Sequence, residues 1–120
     1  MQDQLYREII LEHWKNPHNY GVIPDADIDV VDVNELCGDS IRITMEIKNN
    51  KIEHIMFSSE GCAISKASAS MLTDLVHKKA VSDVKKITPE NFLELLEIEL
   101  TPARTKCALL SYSILQNAIK

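Results

Sequence analysis

From Ile41 to Lys48 the chain alternates strictly: Ile41, Ile43, Met45 and Ile47 fall on one side, Arg42, Thr44, Glu46 and Lys48 on the other. That is the period of a strand with one face buried. Asn49-Asn50 follows, two residues that tolerate positive φ, so a hairpin should return through Ile52 to Phe57. The β-branched run from Ile28 to Val33 predicts a third strand.

The rest of the chain has helical periodicity. Over residues 3–15, Leu5, Ile9 and Tyr6, Ile10, Trp14 recur at helical spacing, with Asp3, Arg7, Glu8 and Lys15 off that stripe. Core positions are expected for Tyr6 and Trp14. The helix should stop near Asn16-Pro17, because the residue before proline avoids the helical region, and NPHNYG reads as a turn closed by Gly21. After Gly61, the positions of Ile64, Ala67, Met71 and Leu75 predict a second helix reaching about Lys78. VSDVKK is a shorter segment of less definite pattern. Thr88-Pro89-Glu90 has the form of a helix start, a cap followed by proline at the first helical position, and Phe92, Leu93, Leu95 and Leu96 come next. Thr101-Pro102 interrupts. A last helix should carry Cys107, Leu110, Ile114 and Ala118 on its buried stripe, with Ser113 and Gln116 turned away. Strands followed by helices predict one α+β domain over residues 1–120: a small three-stranded antiparallel sheet with helices packed mainly on one face.

Size and charge narrow the function. With 120 residues and 45% hydrophobic content the chain can bury one core, roughly two-thirds of its unfolded surface, and is too short for two ordinary domains. A net charge of −5 without a Lys/Arg run argues against nucleic acid as a partner. The amino-terminal stretch lacks the pattern of a signal peptide, and nowhere do about 18 uncharged apolar residues run together, so no membrane partner and a cytoplasmic location are expected.

Chemistry concentrates at three cysteines, Cys37, Cys62 and Cys107. An odd number in a reducing compartment is no closed disulfide framework. Their wide spacing matches no compact metal motif, and a buried free cysteine is an ordinary small core residue, a reading that suits Cys107 in phase with Leu110 and Ile114. Local surroundings favour a shared site. Cys37-Gly38-Asp39 sets a thiol and a carboxylate either side of a glycine that permits a tight turn, here placed between the first two strands. Gly61-Cys62 sets a thiol at a helix amino terminus, and Arg104 and Lys106 lie beside Cys107; both settings favour thiolate. Three thiolates and the Asp39 carboxylate would complete a tetrahedral zinc site or hold a small iron–sulfur cluster. His13, His18, His54 and His77 read as surface residues, and Asp25, Asp27, Asp29 and Asp32 as a solvated approach to the first strand.

NPHNYG, the Cys-Gly-Asp turn, EGCAISKASAS around Cys62 and RTKC ending at Cys107 occur in an order that resembles the U-type iron–sulfur scaffold family: IscU, SufU and the amino-terminal domain of NifU. The resemblance covers nearly the whole chain. It implies an α+β fold, a cysteine desulfurase as sulfur-donating partner, iron–sulfur acceptor or carrier proteins as recipients, and a site made by Cys37, Asp39, Cys62 and Cys107. Where IscU-type members have a histidine before the third cysteine, this chain has Lys106, which with Arg104 is similar to SufU-type members; the length between the second and third cysteines is IscU-like. Two functions follow as expectations. One is a scaffold that holds a transient two-iron cluster, with Asp39 as a weak fourth ligand. The other is a zinc-dependent sulfurtransferase in which Cys37 accepts persulfide sulfur and Arg104 pairs with Asp39 or fills space beside it. A structural-zinc adaptor and a domain with three core cysteines complete the alternatives.

Overall fold

The computed structural model describes residues 2–35, 38–96 and 100–120, with the side chains of the first helix from Glu8 onward. Its elements run α1 (Gln2–Lys15), β1 (Ile28–Asn34), β2 (Asp39–Lys48), β3 (Lys51–Glu60), α2 (Ala63–Val76), α3 (Val81–Lys85), α4 (Pro89–Leu96) and α5 (Pro102–Ala118). The three strands form an antiparallel sheet in the order β1-β2-β3, and helices pack against it, the expected α+β architecture.

The hairpin turn has the predicted chemistry: Asn49 and Asn50 take φ of 53° and 61°, the pair of left-handed residues that matches the twist of the flanking strands. The return strand is longer than its hydrophobic run, reaching Glu60, because Ser58, Ser59 and Glu60 continue to pair with Arg42, Ile41 and Ser40. A register shift between Glu46 and Ile47 marks a bulge, and there Asp27 Oδ2 accepts the Ile47 N–H at 2.8 Å. Asp29 meets Arg42 through a two-pronged carboxylate–guanidinium contact of 2.8 and 2.6 Å. The acidic stretch is therefore partly structural rather than merely solvated.

One sheet face is apolar. Ile41, Ile43, Met45, Ile55 and Phe57 on it pack with Leu72 and Val76 of α2, Val84 of α3, Phe92 of α4, and Tyr112 and Leu115 of α5. A second cluster joins Ile10 of α1, Ile64 and Ala67 of α2, Leu96 of α4, and Cys107 and Ala108 of α5. Helix α2 lies between the two. Its Ala67, Ser68, Ala69 and Ser70 are all buried, small side chains that leave room for close packing of α1 and α5. The helix stops at Val76, two residues short of expectation, because Lys78 takes φ of 68° and its N–H turns to the Ile52 carbonyl of β3.

Other sequence expectations shift at particular residues. VSDVK forms the short helix α3. Thr88 and Asn91 cap α4 reciprocally, each side chain accepting the other's N–H, at 3.0 and 3.2 Å. Gln116 is not turned away: its amide donates to the Val84 carbonyl at 2.8 Å and ties α5 to α3. Trp14 is no core residue, being 39% exposed beside exposed Leu11, while the core contact of that helix falls to Ile10. The side chain of Tyr6 lies outside the described residues. Among the described residues no helix is long and apolar enough to cross a membrane.

Candidate metal and sulfur site

The site is assembled at the ends of β2 and α2 and on the second turn of α5. Asn34 and Asp39 close the β1–β2 pairing, and Gly38, at φ +70°, donates its N–H to the Asn34 carbonyl at 2.8 Å; this left-handed step suits glycine and delivers Asp39 to the start of β2. The Asp39 side chain is fully buried. Cys37, placed by the sequence in this same turn, lies outside the described residues.

Cys62 is the N-cap of α2 with extended backbone (φ −78°, ψ 161°), as the sequence predicted, and makes no capping bond with its own side chain. Asp39 does that work from another element. Its Oδ1 accepts the Cys62 N–H at 2.7 Å, and its Oδ2 accepts from the Ser65 hydroxyl at 2.6 Å and the Cys62 thiol at 3.4 Å. A buried carboxylate thus takes the orphan donor of a helix amino terminus, where the helix dipole also favours negative charge. Burial pushes the Asp39 carboxyl up, but the hydrogen bonds from Ser65, the Cys62 N–H and the thiols of Cys107 and Cys62 together hold it below its ordinary value, so the group is a carboxylate at neutral pH.

Gly61 makes this approach possible. Its φ is +137°, and a Cβ there would lie 2.7 Å from Asp39 Cγ and 2.8 Å from Asp39 Cα, with Oδ1 nearer still. Any side chain would occupy the carboxylate's place.

Cys107 is buried on α5, its carbonyl 3.3 Å from the Ser65 hydroxyl. It is the sixth residue of its helix, a full turn in, on the buried stripe the sequence implied. Pro102 at the first helical position and Thr101, which caps the Arg104 N–H, fix where α5 begins and hence which way Cys107 faces. Arg104 and Lys106 are exposed, and among the described residues Asp39 makes no ion pair with Arg104.

One ligand atom each from Asp39, Cys62 and Cys107 lies within 4.8 Å of the other two. Tetrahedral zinc with metal–sulfur and metal–oxygen lengths of about 2.3 and 2.0 Å needs neighbouring ligands roughly 3.5 Å apart. Cys62 Sγ and Asp39 Oδ2 already stand 3.4 Å apart. Two soft sulfurs and one hard oxygen suit zinc or iron, so the donor set fits. Ser65 is the residue that sequence reading missed. Its position three after the helix cap was the available signal, since that is where a first-turn side chain meets whatever caps the helix.

His18 and His54 are exposed, as the sequence implied, and His13 and His77 are half-buried. His54 and His77 stand near each other on β3 and after α2, His77 Nε2 meeting the Glu53 carbonyl at 3.1 Å. His13 and His18 are not separate surface residues: their rings are 4.5 Å apart, beside Asp74.

Residues 5–120 match the family model described as the NifU-like N terminal domain. The zinc-dependent sulfurtransferase SufU of Bacillus subtilis is 37% identical over 135 aligned positions, covering 98% of this chain and 90% of that protein. The iron–sulfur cluster assembly scaffold protein IscU 1 of Archaeoglobus fulgidus is 35% identical over 115 positions, covering 96% and 74%. Among solved structures, a candidate cluster assembly scaffold for the SUF system from Fervidobacterium islandicum superimposes with a TM-score of 0.82 at 25% identity, covering 98% of both chains. The amino-terminal part of a nitrogen-fixing NifU-like protein from Brucella abortus, 18% identical with a TM-score of 0.79, shares the fold. With a family match over nearly its whole length and relatives above 30% identity, the chain belongs to the NifU-like N-terminal domain family.

Proposed function

We propose that this protein is an iron–sulfur cluster assembly scaffold that receives sulfur from a cysteine desulfurase and carries a transient two-iron cluster as cargo on Cys37, Asp39, Cys62 and Cys107. The observation that carries this reading is the buried Asp39 carboxylate, within 4.8 Å of two cysteine sulfurs and already engaged by Ser65 and the Cys62 N–H. An oxygen ligand binds iron less firmly than thiolate does. Here it also has protein donors ready to take it back, which favours release of cargo over permanent storage. IscU of Archaeoglobus fulgidus bears the name of such a scaffold.

Each residue has a distinct part. The Cys37 thiolate attacks the outer sulfur of the desulfurase persulfide; a new sulfur–sulfur bond forms on Cys37 and the desulfurase cysteine departs as thiolate. Cys62 and Cys107 supply the soft ligands from α2 and α5. Asp39 closes the set, and Ser65 orients it.

The second reading is a zinc-dependent sulfurtransferase, favoured by Lys106 immediately before Cys107 and by the similarity to SufU of Bacillus subtilis. In it the same residues hold zinc, which keeps the thiols deprotonated and in place, and Cys37 alone exchanges sulfur.

Anaerobic reconstitution with iron, cysteine and a desulfurase tests the first reading: visible sulfur-to-iron charge-transfer absorption is expected, and its absence overturns the scaffold. Protein purified without added metal should then carry little zinc. Stoichiometric zinc, with desulfurase turnover raised by wild type and not by Cys37→Ala, would establish the second reading instead.

A further inference from the structure

We propose that His13, His18 and Asp74 form a second metal site, for a divalent first-row ion of the zinc or iron(II) class, independent of the thiol site. One ligand atom from each lies within 4.8 Å of the other two. The convergence has a simple origin. Helix α1 carries His13 in its last turn; a turn at His18-Asn19, with Asn19 at φ 58°, follows and sets His18 against α2, so that the two rings lie 4.5 Å apart, tilted by 52°.

His13 and Asp74 are held from behind by groups outside the set, as metal ligands usually are, and His18 is fixed through its backbone. The Ser70 hydroxyl contacts His13 Nδ1 at 2.7 Å and accepts the His18 N–H at 2.8 Å, which leaves His13 Nε2 as its outward nitrogen. Asn19 Nδ2 donates to Asp74 Oδ1 at 3.0 Å and to the Thr73 hydroxyl at 3.0 Å, so the other carboxylate oxygen, Oδ2, faces His18 Nδ1 at 2.5 Å. Asn19, together with the His18 N–H on Ser70, ties the turn to α2. Two imidazoles and a carboxylate on one side, with the remaining positions open to water, are the donors zinc and iron(II) accept. The set borders a surface cleft in which Met71, Leu75 and Leu95 accompany His13 and Asp74.

The two sites cannot share an ion. Asp74 follows Cys62 by twelve residues on α2, about 18 Å along the helix. An ion bound here would cross-link the end of α1 to α2.

Equilibrium dialysis against zinc, followed by metal analysis, tests the proposal on the full chain. Wild type should retain one zinc per chain more than Asp74→Asn, which keeps an acceptor for Asn19 and the shape of the side chain. His18→Asn should behave the same way. In NMR spectra of wild type, ring signals of His13 and His18 should shift on zinc addition while those of His54 and His77 stay in place. Equal zinc in wild type and in folded Asp74→Asn, or unmoved His13 and His18 signals, overturns the site. Because the readout is a difference between variants and a histidine shift, failure of the thiol site to bind metal would leave both results intact.

Discussion

The Ser65 hydroxyl donates to Asp39 Oδ2 across 2.6 Å, from the first turn of α2 to the first residue of β2, with both side chains buried. Ser65→Ala would remove one donor from a buried carboxylate. A loss of about 1–3 kcal/mol in unfolding free energy is expected, with the denaturant slope unchanged. Zinc or iron affinity at Cys62 and Cys107 should fall about 10–100-fold, the usual effect of losing an orienting partner. Urea unfolding and competitive metal titration check the two effects separately.

Gly61→Ala should be worse, although it adds a single carbon. The new Cβ would have to displace the Asp39 side chain and meet its backbone, at a φ that side chains rarely adopt. Overpacking and backbone strain together should cost about 2–5 kcal/mol. A thermal or chemical unfolding curve within 1 kcal/mol of wild type would show that Asp39 can rearrange without loss.

Tyr112 gives the fold a predictable alkaline limit. Burial, with the nearby Glu90 charge, raises its phenol above the ordinary value, and the hydroxyl donates to the Ile87 carbonyl at 2.5 Å. In the unfolded chain the phenol loses its proton near about pH 10, while in the folded one it holds on longer. Its contribution to stability is therefore fully present below about pH 10 and lost as pH rises through the folded-state value. Tyr112→Phe should be less stable than wild type at pH 8, and the gap should close as pH rises above about 10. A gap independent of pH would contradict this.

Ser111 runs the other way. It lies one turn beyond Cys107 on α5, fully buried, and its hydroxyl is without a hydrogen-bond partner among the described residues. Removing an unsatisfied hydroxyl relieves a desolvation cost, so Ser111→Ala should raise stability by about 0.5–1.5 kcal/mol. A destabilised variant would mean that the hydroxyl has found a partner in solution.

Local rules carried the sequence reading furthest. The Ile41–Ile47 alternation, the Asn49-Asn50 turn and the Thr88-Pro89 start depend on neighbours within a few residues, and all appear as expected. The meeting of Asp39, Cys62 and Cys107 was also legible, because a glycine stands beside two of them and marks where the chain can turn sharply toward a common point. Ser65 was hidden: on sequence alone it is one small residue among several in AISKASAS, and only the fold shows that it faces Asp39. The meeting of His13 and His18 was hidden for a similar reason. Whether two histidines across a turn face each other depends on how the turn docks on α2, and Ser70, Thr73 and Asp74, which decide that, lie more than fifty residues away. Trp14 shows the limit of periodicity, which marks a stripe but not how wide a stripe the neighbouring helix covers.

The outer border of β1 has no strand beside it among the described residues, and its outward Val31 and Val33 are 64% and 51% exposed. Shape alone makes it an adhesive margin. Asp29 and Asp32 alternate with those valines along the same seven residues. Two copies approaching margin to margin would bring carboxylates together at close quarters, a repulsion that Arg42 relieves only at Asp29. Like charges set along a bare strand edge disfavour its pairing with a second copy of itself.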